Sequence, residues 1–353
     1  MGNEQSNWLD FLQQQGATIH EGRVADFGNA KTELQSVTNT NIIAPLTHLA
    51  LLRASGSDSA EFLQGQTSND VRHVDAGHHQ LSSYCTPKGR MLALFTLFMR
   101  DDDYYLQLPH ELLEAVQKRL TMFVMRSDVK LDSVGDELPA FGLSGPQAET
   151  LINKALGSFP SDPDQSLTID GVTVLRRPGD TPRFICLAAT ERLTALWQNL
   201  ATEAQPVGSA PWDLLEIRAG IPNISSGSVE AFVPQMLNLQ LINGVNFKKG
   251  CYPGQEIVAR MQYLGKLKRR MYRAQSDSKE LPAPGTELFS PESASGQGAG
   301  KVVRAAPSPD GGNELLVVAE ISSAEQQVLF LENENGPQLK MLELPYAFEQ
   351  RSE

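Results

Sequence analysis

Cysteine is scarce in this chain of 353 residues. Cys85, Cys186 and Cys251 are odd in number and far apart, with no Cys-x-x-Cys pair. That spacing excludes a disulfide framework and a zinc finger, and it fits a reducing cytoplasm. Apolar runs are short: none approaches the ~20 residues needed to cross a bilayer. The N-terminus lacks the basic start and apolar core of a secretory signal. Positive charge is in overall deficit, with a net charge of −12, so the chain is a poor general nucleic-acid binder. A soluble, cytoplasmic chain without membrane association is expected. Its length exceeds one ordinary core and implies two or three domains.

Against that acidic background, positive charge gathers in one place. Residues 248–273 hold Lys248, Lys249, Arg260, Lys266, Lys268, Arg269, Arg270 and Arg273, with Glu256 as the one acid. Such an island focuses field toward anions, although lysines guarding a hairpin edge would look the same. At its start stands Lys248-Lys249-Gly250-Cys251-Tyr252-Pro253-Gly254-Gln255-Glu256. A thiol reacts or ligates a metal as the thiolate, which neighbouring positive charge favours and a glycine-rich turn exposes. The segment therefore has the parts of a reactive or ligand-binding cysteine, with Lys249 assisting the thiolate. A surface turn with an incidental cysteine has the same residue types. Cys186 lies in an apolar, strand-like run and reads as core; Cys85 is not placed by its surroundings.

Periodicity organises the rest. Trp8, Leu9, Phe11 and Leu12 form a short stripe able to dock as one helix within a polar stretch, residues 1–40. Strands are expected at 48–54, 91–99 and 104–108, the last two joined by an Asp101-Asp102-Asp103 turn, and a short helix capped by Ser57-Asp58-Ser59. A helix over 109–124 has Leu112, Leu113, Val116, Leu120 and Phe123 on one face. Further strands are expected at 140–143, 172–175 and 184–188, with helices over 145–156 and 190–200 and another beginning at Trp212. The mixture lacks β-α-β alternation and favours α+β layers. After Arg270 many Gly and Pro residues punctuate short strands at 271–274, 287–289, 301–305, 315–321, 327–330 and 341–344, which suggests a small C-terminal β-barrel. The expected division is an extension over 1–40, two α+β subdomains over 41–265 with a boundary near 140, and a barrel over 266–348. Two motifs are set aside: Met1-Gly2-Asn3-Glu4-Gln5-Ser6 as a myristoylation pattern, and residues 296–301 as a phosphate loop, because Ser295 stands where a Walker loop needs glycine.

The cysteine motif resembles the signature of the YgfZ-type folate-binding proteins, relatives of the aminomethyltransferase (T protein) of the glycine cleavage system. Phe62-Leu63-Gln64-Gly65-Gln66-Thr67-Ser68-Asn69-Asp70-Val71 resembles the superfamily's N-terminal signature, and Tyr84-Cys85-Thr86-Pro87-Lys88-Gly89-Arg90 the strand-turn-strand that follows. Gly300-Lys301-Val302-Val303 and Leu344-Pro345-Tyr346 are similar to pieces of the family's last domain. The resemblance implies a three-domain, ring-like fold ending in a β-barrel, and a site for tetrahydrofolate or a derivative. It implies Trp212, Gln66 and Asn69 as folate contacts. Leu49 stands where a pocket tryptophan is found, and Arg218 where relatives often carry an acid. Leu92 and Ala93 stand where the transferases place an aspartate pair, one of which is catalytic, so aminomethyl transfer by that route is not expected. The implied role is an accessory factor, monomeric, for iron–sulfur proteins, including those that thiolate tRNA. Cys251 would be a transient iron or cluster ligand, a nucleophile toward a damaged species, or a thiol that forms a mixed disulfide with a partner, without a stably bound metal. A folate-dependent one-carbon transferase and an RNA-binding module, with direct tRNA contact, are the alternatives.

Overall fold

A computed structural model describes residues 4–293 and 298–348, the side chains of Glu4, Gln5 and Ser6 excepted. Parts of both set-aside motifs, residues 1–3 and 296–297, lie outside the described residues. The chain groups into two compact units. Among the described residues, one comprises 4–64, 70–81 and 95–212; the other comprises 65–69, 82–94, 213–293 and 298–348.

The first unit holds a six-stranded sheet in the order Ser166–Ile169, Val172–Arg177, Arg183–Leu187, Ala140–Ser144, Ile42–Pro45, Gln205–Pro206. Its pairs are antiparallel except the last. That is the ladder of an α+β layer rather than a doubly wound sheet. The helices Glu4–Gln14, Ala148–Leu156 and Thr190–Leu200 share its core. The N-terminal stripe docks there: Trp8 and Leu12 are buried, and Trp8 meets Trp197 edge-on at 5.8 Å between centroids. A second sheet in this unit pairs residues 95–100 of the strand Met91–Arg100 with Asp103–Pro109, which continues to Leu49–Ser55 and Lys130–Ser133. Asp101 and Asp102, at φ 51° and 66°, make its expected hairpin turn. The helix after Pro109 opens as a 3-10 turn, His110–Leu112, and becomes α-helical over Leu113–Val124. It buries Leu112, Val116 and Leu120, whereas Phe123, expected on that face, is exposed in the last turn before Met125 turns to φ 47°.

The second unit is built on an antiparallel six-stranded sheet in the order Phe330–Leu331, Glu287–Phe289, Gly300–Pro307, Asn313–Glu320, Arg269–Ser276, Lys340–Leu342. Its core includes Ala274, Leu288, Val302, Leu315, Val317 and Leu339. The strand expected over 327–330 shortens to Phe330–Leu331, because a helix, Ile321–Glu325, follows directly on Glu320 and Gln327 turns at φ 58°. Among the described residues no helix is long and apolar enough to cross a membrane.

Candidate functional site around Cys251

The Cys251 loop is held by three buried or close-packed neighbours. Lys249 is 5% exposed, and its ammonium donates to Thr67 O at 2.5 Å and Asn69 O at 3.0 Å. Its Nζ also lies 5.2 Å from the centre of the Tyr252 ring, a cation–π contact. Tyr252 is buried in turn, and burial, more than the nearby Cys85, pushes its phenol pKa up. Gly254 takes φ 84°, and a Cβ there would stand 2.4 Å from Thr86 O and 2.7 Å from Gly89 N. Both motifs thus meet at a contact only glycine allows. Gln255 opens the helix Gln255–Tyr263 and reaches back to Lys249 O at 3.4 Å, while Gln235 Nε2 secures the helix through Val258 O at 2.6 Å. Amid these anchors Cys251 is exposed, as is Glu256, and Gly250 has open space where a Cβ would be.

Lys249, read from the sequence as the thiol's helper, is therefore a buried strut whose charge goes to two backbone carbonyls and an aromatic face. The basic island is likewise partly consumed. Arg269 pairs with Glu320 at 3.1 Å, and Arg273 with Glu314 at 2.7 Å. Lys248, Arg260, Lys266 and Lys268 are the exposed cations of the stretch.

The other two thiols are enclosed. Burial pushes the Cys85 thiol up to about 12 against a weaker opposing bond from Ser83, and burial alone raises Cys186. A thiol that stays protonated in the core neither attacks nor ligates. Iodoacetamide at neutral pH is expected to label Cys251 in the folded protein at least about tenfold faster than the other two. Peptide mapping of alkylated protein checks this, and equal rates would remove Cys251 from its special position.

The residues tied to folate by resemblance fall in different surroundings. Gln66 carries a buried Oε1 with no hydrogen-bond partner. Asn69 donates from Nδ2 to Asn243 O at 2.6 Å and from its backbone to Ser82 Oγ at 3.1 Å. Arg218 grips Glu314 Oε1 at 2.7 Å. Burial pushes the Glu314 carboxyl up, but Arg218 and Arg273 outweigh it and hold it below its ordinary value. In the first unit Trp212 is 1% exposed, with Gly142 packed so closely that a Cβ there would lie 2.4 Å from the indole and Arg183 at 5.4 Å over the ring. Leu49 lines a separate cavity of about 120 Å³ with Leu46, His110 and Leu138. Gln66 fits a pterin ring, whose N–H groups need an acceptor; Asn69 and Arg218 are occupied with the fold.

A buried serine network escaped the sequence reading. Ser68 Oγ donates to Gly244 O at 3.1 Å and stands 2.8 Å from Ser83 Oγ, while Asn246 N donates to Ser68 O at 3.0 Å. It ties residues 65–69 to the segment leading into the cysteine loop. Small hydroxyl residues carry no local signal of such partners. Among the described residues no three His, Cys, Asp or Glu side chains gather as a metal site.

The comparisons with known proteins bear on the whole of this frame. The GCVT N-terminal domain family matches residues 5–170. A tRNA-modifying protein YgfZ from Enterobacter sp. is 32% identical over 304 residues, 85% of this chain and 92% of that protein. The chain belongs to the YgfZ family. Its namesake from Colwellia psychrerythraea is 35% identical over 64% of this chain and 69% of that protein, and one from Yersinia pseudotuberculosis is 30% identical over 84% and 90%. Among solved structures, the glycine cleavage system aminomethyltransferase T from Bartonella henselae superposes with a TM-score of 0.74 at 14% identity, covering 95% of each chain. The family's fold is thus that of the aminomethyltransferase. Leu92 and Ala93, the residues at the transferases' aspartate positions by resemblance, sit in the strand Met91–Arg100, with Ala93 fully buried.

Proposed function

We propose that this YgfZ-family protein is a cytoplasmic, folate-binding accessory factor that presents the Cys251 thiol to iron–sulfur enzymes, among them those that thiolate tRNA. The carrying observation is the contrast within one loop: Lys249, Tyr252 and Gly254 are fixed by burial or close packing, and Cys251 alone among the three cysteines is exposed. A rigidly presented thiol on an ordered loop is ready for a partner, because little conformational entropy remains to be lost on docking. One thiolate supplies one of the four ligands a cluster takes. Iron or a cluster is accordingly substrate here, with its other ligands from the partner. The names of the family's relatives, tRNA-modifying proteins, support the tRNA end of the reading.

Folate chemistry, when the cofactor is bound, supplies a one-carbon carrier. On the protein's side, Gln66 Oε1 is the unpaired acceptor for a pterin N–H, and exposed Lys248 suits the anionic glutamate tail. With Leu92 and Ala93 in an apolar strand, no carboxylate from those positions can move a proton or stabilise a cation. A folate-dependent aminomethyl transfer through them is therefore not part of the reading.

Rescue of a deletion strain tests the proposal. Cys251→Ala is expected to restore tRNA thiolation poorly while remaining folded, since an exposed substitution costs little stability. Gln66→Leu is expected to weaken tetrahydrofolate binding by about tenfold, the loss of one buried hydrogen bond. Full rescue by Cys251→Ala at normal protein levels would make the motif structural and end the thiol reading.

A further inference from the structure

The second unit contains a cleft of about 490 Å³, the size of a small-ligand site. Two of its lining residues, Gln235 and Asn238, are 2% and 1% exposed. Gln235 belongs to the 3-10 turn Pro234–Leu237 and Asn238 caps it; residues three apart in such a turn share a side. Each amide has spent its nitrogen on a backbone carbonyl, Gln235 on Val258 O at 2.6 Å and Asn238 on Met271 O at 2.9 Å. Those bonds fix which way the amides face. Their oxygens, Gln235 Oε1 and Asn238 Oδ1, have no hydrogen-bond partner, and neither does Gln240 Oε1, also in the lining. Three unpaired buried acceptors in one cleft are costly. They call for a ligand that donates hydrogen bonds.

The same cleft carries positive charge and an aromatic surface. Arg270 has an unpaired Nε, and its guanidinium lies 4.4 Å from the centre of the Phe348 ring. Lys266 is exposed in the wall, and Met261 and Leu267 complete an apolar part. A flat ligand with an amine at one end and an anion at the other satisfies all three features at once.

We propose that this cleft binds one nucleotide with an amino-bearing base, the two N–H groups of its amine on Gln240 Oε1 and one of the other two amide oxygens, and its phosphate on Arg270 and Lys266. Uracil is the discriminating case. It sets one carbonyl oxygen, O4, where cytosine carries its amine, and that oxygen would face acceptors. The inference stands apart from the folate and thiol reading, since it uses none of Gln66, Trp212 or Cys251. A free nucleotide and an unpaired nucleotide of an RNA chain present the same chemistry.

Calorimetry on the full chain with AMP, CMP and UMP at low salt tests it. AMP and CMP are expected to bind at least about tenfold more tightly than UMP. Gln240→Leu is expected to abolish that preference, and Lys266→Ala to weaken all three ligands by a similar factor of about three; thermal melts of both variants confirm folding. A 5′-phosphorylated, adenine-containing RNA trinucleotide that binds more tightly than AMP identifies an RNA source, and equal affinity identifies the free nucleotide. Equal affinity for all three mononucleotides, or no binding of AMP at about 5 mM, overturns the proposal. So does displacement of AMP by 5-formyl-tetrahydrofolate, which would make the cleft a pterin site.

Discussion

Lys249→Ala is expected to destabilise the protein by about 3 kcal/mol and lower its Tm by about 4 °C. The substitution removes the charged donor to Thr67 O and Asn69 O, and a hydrogen bond from a charged group contributes about 1.5–3 kcal/mol. It also empties the space beside the Tyr252 ring. Relief from desolvating an ammonium offsets part of this, which is why the expected value stays below the full sum. Lys249→Met separates the contributions. It refills the space without restoring the charged donor to either carbonyl, so it should recover only about one third of the loss. Differential scanning calorimetry of both variants is the check. A Lys249→Ala protein that melts with the wild type would show that the ammonium is not a strut. In the functional assay this reverses an order the sequence suggests. A lysine that merely assists a thiolate should matter less than the thiol, whereas a lysine that holds the loop should fail for want of folded protein.

That reversal shows what was legible in the chain and what was not. Local pattern carried the elements well. The helix Thr190–Leu200, the hairpin turning at Asp101 and Asp102, and the short strands after residue 268 stand close to where apolar spacing and turn residues put them. Their causes lie within a few residues of each element. Lys249 lies one residue from Gly250 and two from Cys251, and in sequence that adjacency looks like electrostatic help. Its true partners are 182 and 180 residues away. Arg269 and Arg273 read as free charge for the same reason, since Glu320 and Glu314 come to them through strand pairing 51 and 41 residues distant. Gln66 shows the opposite case. Its residue type and motif pointed to a binding role, and only the folded chain shows that its Oε1 is buried without a partner.

The two glycines that flank the thiol should differ sharply, although the motif writes them alike. Gly254→Ala is expected to cost about 3 kcal/mol or more. A Cβ at φ 84° meets the left-handed penalty of about 1–2 kcal/mol. It also drives into backbone atoms, Thr86 O at 2.4 Å and Gly89 N at 2.7 Å, which cannot swing aside as a flexible side chain would. Relief requires the 86–89 turn and the start of the Gln255–Tyr263 helix to part, and that undoes the docking of one motif on the other. The thiol would still exist and still be exposed, so alkylation of Cys251 should persist while rescue of tRNA thiolation falls. Gly250→Ala has no such obstacle. Nothing lies within 4 Å of its Cβ position, and its φ is not in the left-handed range, so its cost should stay within about 0.5 kcal/mol. Thermal melts and Cys251 labelling rates on both variants, set beside rescue, separate presentation of the thiol from its mere exposure. Were Gly254→Ala to melt and rescue like the wild type, the rigid loop would have no part in the function. Were Gly250→Ala to fail in rescue while melting normally, the open space beside Cys251 would itself be where a partner or ligand must approach.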